Sequence, residues 1–345
     1  MQVSEAERAA MHRALALAET VRGRTSPNPA VGAVILDASG ALAGEGATQA
    51  AGGPHAEVVA LAAAGLRARG GTTVVTLEPC AHTGRTAPCA DALVEAGVVR
   101  VVYAVDDLNP VAAGGADKLI AAGVQVVAGL DHDQVAAGAL RPWLHALQTG
   151  RPFVTWKLAT TVDGRVAAAD RTTRWISSEV SRADAHAFRA VVDAILVGSG
   201  TVLADDPSLT VRDGTDQLLP HQPLRVVLDR RHRVAQSARV LDNAASTLVL
   251  DTAVPRFALK ALHDQGVRHV LLEGGPTLAG AFIEARCVDE VIAYVAPKLL
   301  GAGPSALGDA GITTLAEAVT LEIDSVTRVG PDVKIVARPV WAEEG

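Results

Sequence analysis

PHAEVVAL at 54–61 and TLEPCAHTGRTAPCADAL at 76–93 are the stretches on which the reading of the fold turns. Pro54 opens a helix read over 55–68, which puts His55 and Glu57 in its first turn. A strand read over 72–78 runs into Glu78-Pro79-Cys80, and a polar loop then leads to Cys89 at the start of a second helix, read over 88–96. One His and two Cys make three protein ligands and leave the fourth tetrahedral position open, the pattern of a catalytic rather than a structural zinc site. Zinc in such a site brings the pKa of bound water to about 7. Glu57, two residues from His55, has the reach to carry a proton without binding the metal itself. His82 is a rival nitrogen ligand inside the loop; it ranks below His55 because no carboxylate accompanies it at a helix entry.

Outward from these stretches the first half alternates. Helix is expected at 5–22, with Ala10, Ala14, Leu17 and Val21 on one face; SPNP (26–29) breaks it. A buried strand at 30–36 follows, with 41–46 as its hairpin partner. Beyond the two decisive stretches come strand 98–105, helix 115–122 and strand 124–129. Such alternation implies a largely parallel sheet. RPWLHALQTGRP (141–152) reads as a hinge, and a second α/β run begins at 153–159, with strands at 194–198, 225–229, 247–251, 268–274, 290–296 and 333–337 and helices at 178–190, 255–265 and 276–286. At 345 residues the chain is long enough for two domains, here divided as 1–147 and 148–345. Aromatics are only 3%, and with a net charge of −7 neither half carries the basic surplus of a general nucleic-acid binder. The three cysteines, Cys80, Cys89 and Cys287, are too few for a disulfide framework. No apolar run approaches the ~20 residues of a membrane span. A soluble, cytoplasmic protein is expected.

His55-Ala56-Glu57 followed by Pro79-Cys80 and a second cysteine is the H-x-E…P-C-x(n)-C signature of zinc nucleobase deaminases, whose usual cysteine spacing is two residues. Here eight residues, 81–88, intervene. Together with TSPNPAVGAVI (25–35) and DLNP (107–110), these motifs resemble the bifunctional riboflavin-biosynthesis deaminase/reductase family of bacteria, over about residues 5–338. The resemblance implies a cytidine-deaminase-like α/β/α domain in which His55, Cys80 and Cys89 bind Zn2+ and Glu57 is the general acid/base. It further implies that Asn28 holds the pyrimidine, Arg85 meets a substrate phosphate, and Asp107 and Asn109 contact substrate. Asn offers a donor and an acceptor to a pyrimidine edge, and Arg forks onto phosphate; Asp107 and Asn109 would equally serve as loop caps. Where the family carries an aromatic-His pair, this chain has Ala47 and Thr48. Thr48 replaces one hydrogen bond but not a charge, which bears on deaminase rate more than on identity.

The second half lacks G-x-G-x-x-G after its first strand, which disfavours a Rossmann site. It has LLEGGPTLAGAF (271–282) instead, a strand, two glycines and Pro276 at a helix start, an arrangement able to cradle a pyrophosphate. With KLATTVDGRVA (157–167), RWIS (174–177), GSGTVLADDPSLTVR (198–212) and APKLLG (296–301), it resembles the reductase half of the same family. That likeness implies a dihydrofolate-reductase-like α/β domain using NADPH. Ala159, Trp175, Thr201, Asp205 and the run Gly275, Pro276, Thr277, Leu278, Ala279, Gly280 and Ala281 would line the cofactor. Lys157, Thr173, Arg189, Leu209, Arg212 and Glu273 would hold the substrate. The cluster Arg230, Arg231 and Arg233 is hypothesised to select the 2′-phosphate of NADPH.

The expected chemistry is zinc-dependent deamination of 2,5-diamino-6-(5-phosphoribosylamino)pyrimidin-4-one to 5-amino-6-(5-phosphoribosylamino)uracil, then NADPH-dependent reduction of the ribosyl group to ribityl. The partners expected are phosphorylated pyrimidines and a second copy of the chain through the reductase half, EVIAYVA (290–296) offering an edge strand; neither nucleic acid nor membrane is expected. An RNA-editing deaminase with an accessory domain is the rival enzyme reading, disfavoured by charge and by the cysteine spacing. A structural zinc with an assembly domain is the non-catalytic one.

Overall fold

The computed structural model describes residues 2–82, 87–172 and 175–341. The chain divides into two compact units, residues 1–150 and 151–345.

In the first unit the elements run α1 (Glu5–Glu19), β1 (Gly32–Leu36), β2 (Leu42–Ala47), α2 (Ala56–Ala64), β3 (Thr72–Leu77), α3 (Cys89–Glu95), β4 (Arg100–Val105), α4 (Gly115–Ala121), β5 (Gln125–Val127), α5 (His132–Ala137) and α6 (Arg141–Thr149). Helix α1 starts where Ser4 and Glu7 form a reciprocal capping box, a device whose cap residue is worth ~1 kcal/mol. Glu7 does more than cap. Burial alone would raise its carboxyl, but hydrogen bonds from Arg100 and Ser4 outweigh that and hold it below its ordinary value, and the 2.5 Å Arg100 contact ties α1 to β4. The sheet order is β2-β1-β3-β4-β5. It is less parallel than the alternation implied: β1 is antiparallel to both β2 and β3, and only β3, β4 and β5 run parallel. The short turn 37–41 explains the β1–β2 pair, since a hairpin forces antiparallel pairing; β3, reached from β2 through α2, runs in the β2 direction and so is antiparallel to β1 as well. Strand β1 is buried along its whole length.

Two glycines of β2 set how closely α2 approaches. A Cβ on Gly44 would overlap Ala60 O and lie 2.5 Å from Ala64 N, and one on Gly46 would meet Val59 Cβ at 2.6 Å. The stretch 141–152, expected to be a hinge, is helical through Thr149, with Pro142 in the first turn and Pro142, Trp143, Leu144 and Ala146 buried. Apolar spacing outweighed the Gly and Pro at its end.

The second unit runs β6 (Phe153–Thr161), α7 (Glu179–Phe188), β7 (Ala194–Gly198), α8 (Ser199–Asp205), β8 (Leu224–Leu228), β9 (Thr247–Leu250), α9 (Pro255–Asp264), β10 (His269–Leu272), α10 (Pro276–Glu284), β11 (Glu290–Ala296), β12 (Thr320–Val329) and β13 (Asp332–Val340). Its sheet order is β12-β13-β11-β6-β10-β7-β8-β9. The six strands from β11 to β9 are mutually parallel, while β13 is antiparallel to β11 and β12. The 290–296 strand is therefore interior and not an edge; the edges are β9 and β12, the latter absent from the strands expected. Its apolar alternation slips at Asp324-Ser325, where the register shifts. Arg225 on β8 is fully buried; its two terminal nitrogens bond Asp242, Ala245, Ser208 and Arg239, which closes the loops around it, while Nε has no hydrogen-bond partner among the described residues. Among the described residues no helix is long and apolar enough to cross a membrane.

The glycine seat under α2 is open to test. Gly44→Ala is expected to cost about 1–3 kcal/mol, because backbone atoms of α2 would have to retreat. A lowered urea midpoint of the full chain checks it, and an unchanged midpoint would refute the tight seat.

Candidate active sites

His55 stands at the N-cap of α2 with extended backbone, and its side chain does not cap the helix. It turns instead to the two cysteines. His55 Nδ1 lies 3.6 Å from Cys80 Sγ and 3.3 Å from Cys89 Sγ. Cys80 sits just past β3, and Cys89 opens α3 and directs its backbone N–H at Cys80 Sγ at 3.4 Å. Among the described residues this is the one cluster of three or more His, Cys, Asp or Glu with ligand atoms so close, all within 4.8 Å. Zinc bonds of ~2.3 Å to sulfur and ~2.0 Å to nitrogen place tetrahedral donors about 3.5 Å apart. The separations observed match that edge length, and the donor set is the one zinc prefers, so the residues fit the ion.

Charge agrees with geometry. Cys89 and His55 facing Cys80 hold its thiol well below the usual range, while the same closeness drives Cys89 upward. Glu57 lies in the first turn of α2, 4% exposed. Burial pushes its carboxyl up to about 7, and its neighbours include Cys80, His55 and Cys89.

These residues open on a cavity of about 440 Å³ that is also lined by Asn28, Thr48, Glu78, His82, Asp107, Asn109 and Trp143. Asn28 is held on its wall by reciprocal bonds with Thr25. Asp107 Oδ1 accepts the Asn109 N–H at 2.8 Å and Asn109 Oδ1 accepts the Val111 N–H at 3.2 Å, so both cap their loop while facing the cavity. Burial pushes the Asp107 carboxyl up to about 6. The Thr48 hydroxyl accepts the Val31 N–H at 3.2 Å, which ties it to the strand side of the wall. His82 stands apart from the ligand cluster; its Nδ1 is buried and without a hydrogen-bond partner among the described residues. Arg85 lies outside the described residues. Sequence reasoning missed Trp143, hidden in the supposed hinge, and Glu78, beside the metal motif.

In the second unit, the carboxyl ends of parallel strands collect the expected residues on one edge, the usual place for ligands in open α/β sheets. Lys157 and Ala159 lie on β6, Thr201 and Asp205 on α8 after β7, and Glu273 just past β10. Glu273 receives a two-pronged bond from Arg189, 2.7 Å at each oxygen. Burial alone would raise Glu273, but Arg189 outweighs it and holds the carboxyl low. Lys157 is drawn below its ordinary value by burial and by Arg189, with Glu273 opposing. The run 275–281 opens the helix expected there: Gly275 caps α10, and Pro276 to Ala281 form its first turns. Gly275 faces Thr201, where a Cβ would be 3.9 Å from the hydroxyl, and Leu278 packs toward Gly274 and Gly198. Thr277 is exposed and Ala281 half-buried. Ala279 is buried in the core, and Gly280 is pressed against Asp309 O.

The 209–212 segment reaches the group around Arg189, since Arg189 bonds Thr210 O at 3.4 Å and the Arg212 N–H bonds His186 Nε2 at 3.0 Å, but the side chains expected there are engaged otherwise. Leu209 is a core residue, packed with Val192, Ile195 and Val202. Arg212 turns to its own loop, bonding Asp216 O at 2.8 Å. Trp175 is exposed, with the Arg182 guanidinium 4.1 Å over its ring. Arg230 and Arg231 are exposed, and Arg233 reaches Ser199 Oγ at 2.8 Å. Thr173 lies outside the described residues.

Comparison with known proteins draws the two units together. Residues 4–105 match the family model described as the cytidine and deoxycytidylate deaminase zinc-binding region, and residues 152–335 match the RibD C-terminal domain. The riboflavin biosynthesis protein RibD of Mycobacterium tuberculosis is 53% identical over 331 residues, 95% of this chain and 97% of that one. The chain belongs to the RibD family. It is a bifunctional deaminase and reductase of riboflavin biosynthesis, with its zinc-binding deaminase site at His55, Cys80 and Cys89. RibD of Escherichia coli is 41% identical, covering 94% of this chain and 96% of its own. The solved structure of Acinetobacter baumannii RibD aligns with a TM-score of 0.89 at 37% identity, over 98% of this chain and 99% of the other. A Thermotoga maritima structure, titled a diaminohydroxyphosphoribosylaminopyrimidine deaminase/5-amino-6-(5-phosphoribosylamino)uracil reductase, aligns at 0.90 with 31% identity, over 97% and 99%. Within the RibD family frame, the long cysteine spacing is no obstacle to a closed ligand cluster, since Cys89 N–H and Ala90 N–H both bond back onto Cys80.

Proposed function

We propose that the first unit deaminates the diaminopyrimidinone ribosylamino 5-phosphate and that the second reduces the resulting aminouracil from ribosyl to ribityl with NADPH, in the cytoplasm. The observation that carries this is the His55, Cys80 and Cys89 cluster with Glu57 beside it, opening through His55, Glu57 and Cys80 on a cavity also lined by Asn28, Asp107 and Asn109. Zinc, when bound, supplies a Lewis acid that ionises water near neutral pH. Glu57 is placed to move a proton toward the leaving amine. Asn28 offers its amide to the ring edge, and Asp107 and Asn109 present polar side chains on the same wall.

NADPH, when bound to the second unit, supplies the hydride. The match of that unit to the RibD C-terminal domain supports seating the dinucleotide at Gly275 and Thr201, where the start of α10 meets α8. Lys157 and Glu273 face the substrate side. Arg189 acts through Glu273, its guanidinium already held by both carboxylate oxygens. Arg233, bonded to Ser199 at that edge, is favoured over Arg230 and Arg231 for reading the 2′-phosphate. Exposed Leu321, Ile323 and Val326 along the edge strand β12 support pairing of two copies through the reductase unit.

Mass spectrometry of zinc-loaded chain with the diaminopyrimidinone substrate is expected to show an amino group exchanged for oxygen without NADPH, and a further gain of two hydrogens when NADPH is added. Glu57→Gln is expected to lower deamination by roughly 10²–10⁴-fold with zinc content and reduction of the pre-deaminated substrate intact; unchanged substrate with the native chain would sink the reading. Arg233→Ala should erode the preference for NADPH over NADH more than Arg230→Ala or Arg231→Ala, and an unchanged preference in the triple variant would remove the cluster from cofactor choice. Light scattering is expected to give a dimer mass that Ile323→Lys reduces to a monomer; a native monomer contradicts the pairing.

A further inference from the structure

Glu78 is a second buried carboxylate in the deaminase unit, 8% exposed, two residues before the ligand Cys80. Its oxygens point to two different stretches of chain. Oε2 accepts the Asp107 N–H at 3.1 Å, and Oε1 accepts the Ala116 N–H, in the first turn of α4, at 2.9 Å. The segment between, 107–116, carries Asp107, Asn109 and Ala112 of the cavity wall. It lies hard against the metal loop: Ala81 N–H bonds Ala112 O at 2.9 Å, and a Cβ on Gly115 would overlap Pro79 O. Ala112 packs with both cysteines.

Two N–H donors converging from separate segments need two acceptors on one side chain. A carboxylate supplies them; a carboxamide offers one acceptor and sets its own NH₂ against the other donor. We propose that Glu78 is a positioning residue of the deaminase, a buried clamp that fixes the 107–116 wall against the metal loop and so holds Asp107 and Asn109 where substrate meets them. This rests on the reading of Asp107 and Asn109 as substrate contacts.

The test uses the full zinc-loaded chain carrying Glu78→Gln, which preserves shape. Deaminase KM is expected to rise about tenfold, with kcat within about twofold of the native chain, zinc content unchanged, and faster amide hydrogen exchange across 106–117. Glu78→Asp keeps the charge but shortens the reach, and is expected to behave like Glu78→Gln. Native behaviour of the Asp variant would show that charge alone matters and overturn the clamp. So would unchanged exchange in Glu78→Gln, loss of zinc, or a fall in kcat with KM unmoved. Asp107→Ala and Asn109→Ala separate the two readings: if neither raises KM, the substrate-contact reading fails by itself, and the exchange measurement still decides whether Glu78 holds the segment.

Discussion

Three donor atoms within hydrogen-bond distance of one another, two of them sulfur, are the constraint around which the first unit is built. His55 Nδ1, Cys80 Sγ and Cys89 Sγ come from a helix start, a strand end and another helix start. No local turn brings such elements together; the sheet does. Strand β1 is buried along its length, β2 presents bare backbone at Gly44 and Gly46 so that α2 can settle on it, and β3 delivers Cys80 beside the first residue of α3. Two thiols so close contend for a proton: the Cys80 thiol is held low by Cys89 and His55, and the Cys89 thiol is driven up. A divalent ion removes the conflict, since it favours ionised sulfur on both, and metal binding is thereby coupled to the fold.

The second unit obeys a different rule. Its parallel strands end on one edge, and the groups gathered there already answer one another. Arg189 is matched by Glu273 at both oxygens, and Lys157 sits within the field of both. Counting arginines in the sequence overstates the positive charge this edge can offer to a phosphate. Arg212 makes the same point: as a residue type it suits phosphate, but its guanidinium closes a loop on Asp216. At the same edge the backbone lies bare at Gly275, where a Cβ would stand 3.9 Å from the Thr201 hydroxyl.

That difference explains how much could be read beforehand. The metal ligands and Glu57 were legible because His, Cys and Glu are distinctive residue types that mark helix and strand ends. Most strands of both sheets were legible from their apolar runs, and the 194–198 and 290–296 strands were placed to the residue. The antiparallel β1–β2 pair was legible as a hairpin, but the antiparallel pairing of β1 with β3 was not, because it is set across the sheet and periodicity does not report it. Trp143 went unseen because Gly150 and Pro152 drew attention to the end of its helix and away from the buried Pro142, Trp143, Leu144 and Ala146 within it. Leu209 and Ala279, expected at ligands by resemblance, place their side chains in the cores.

Glu57 and Glu78 show why residue type alone stops short of role. Both are buried glutamates within a few residues of a zinc ligand, and neither is a ligand in the cluster. Burying a carboxylate is costly unless its oxygens are satisfied. Glu78 meets that demand with amides from two segments, so its carboxylate is occupied in holding structure. Glu57 meets its own backbone amide and the Cys89 side chain, and burial carries it up to about 7. Each oxygen of Glu78 is engaged by a fixed amide of the 107–116 segment, whereas Glu57 stands beside the ligand atoms themselves. The division of labour between them lies in their hydrogen-bond partners, which only the folded chain supplies.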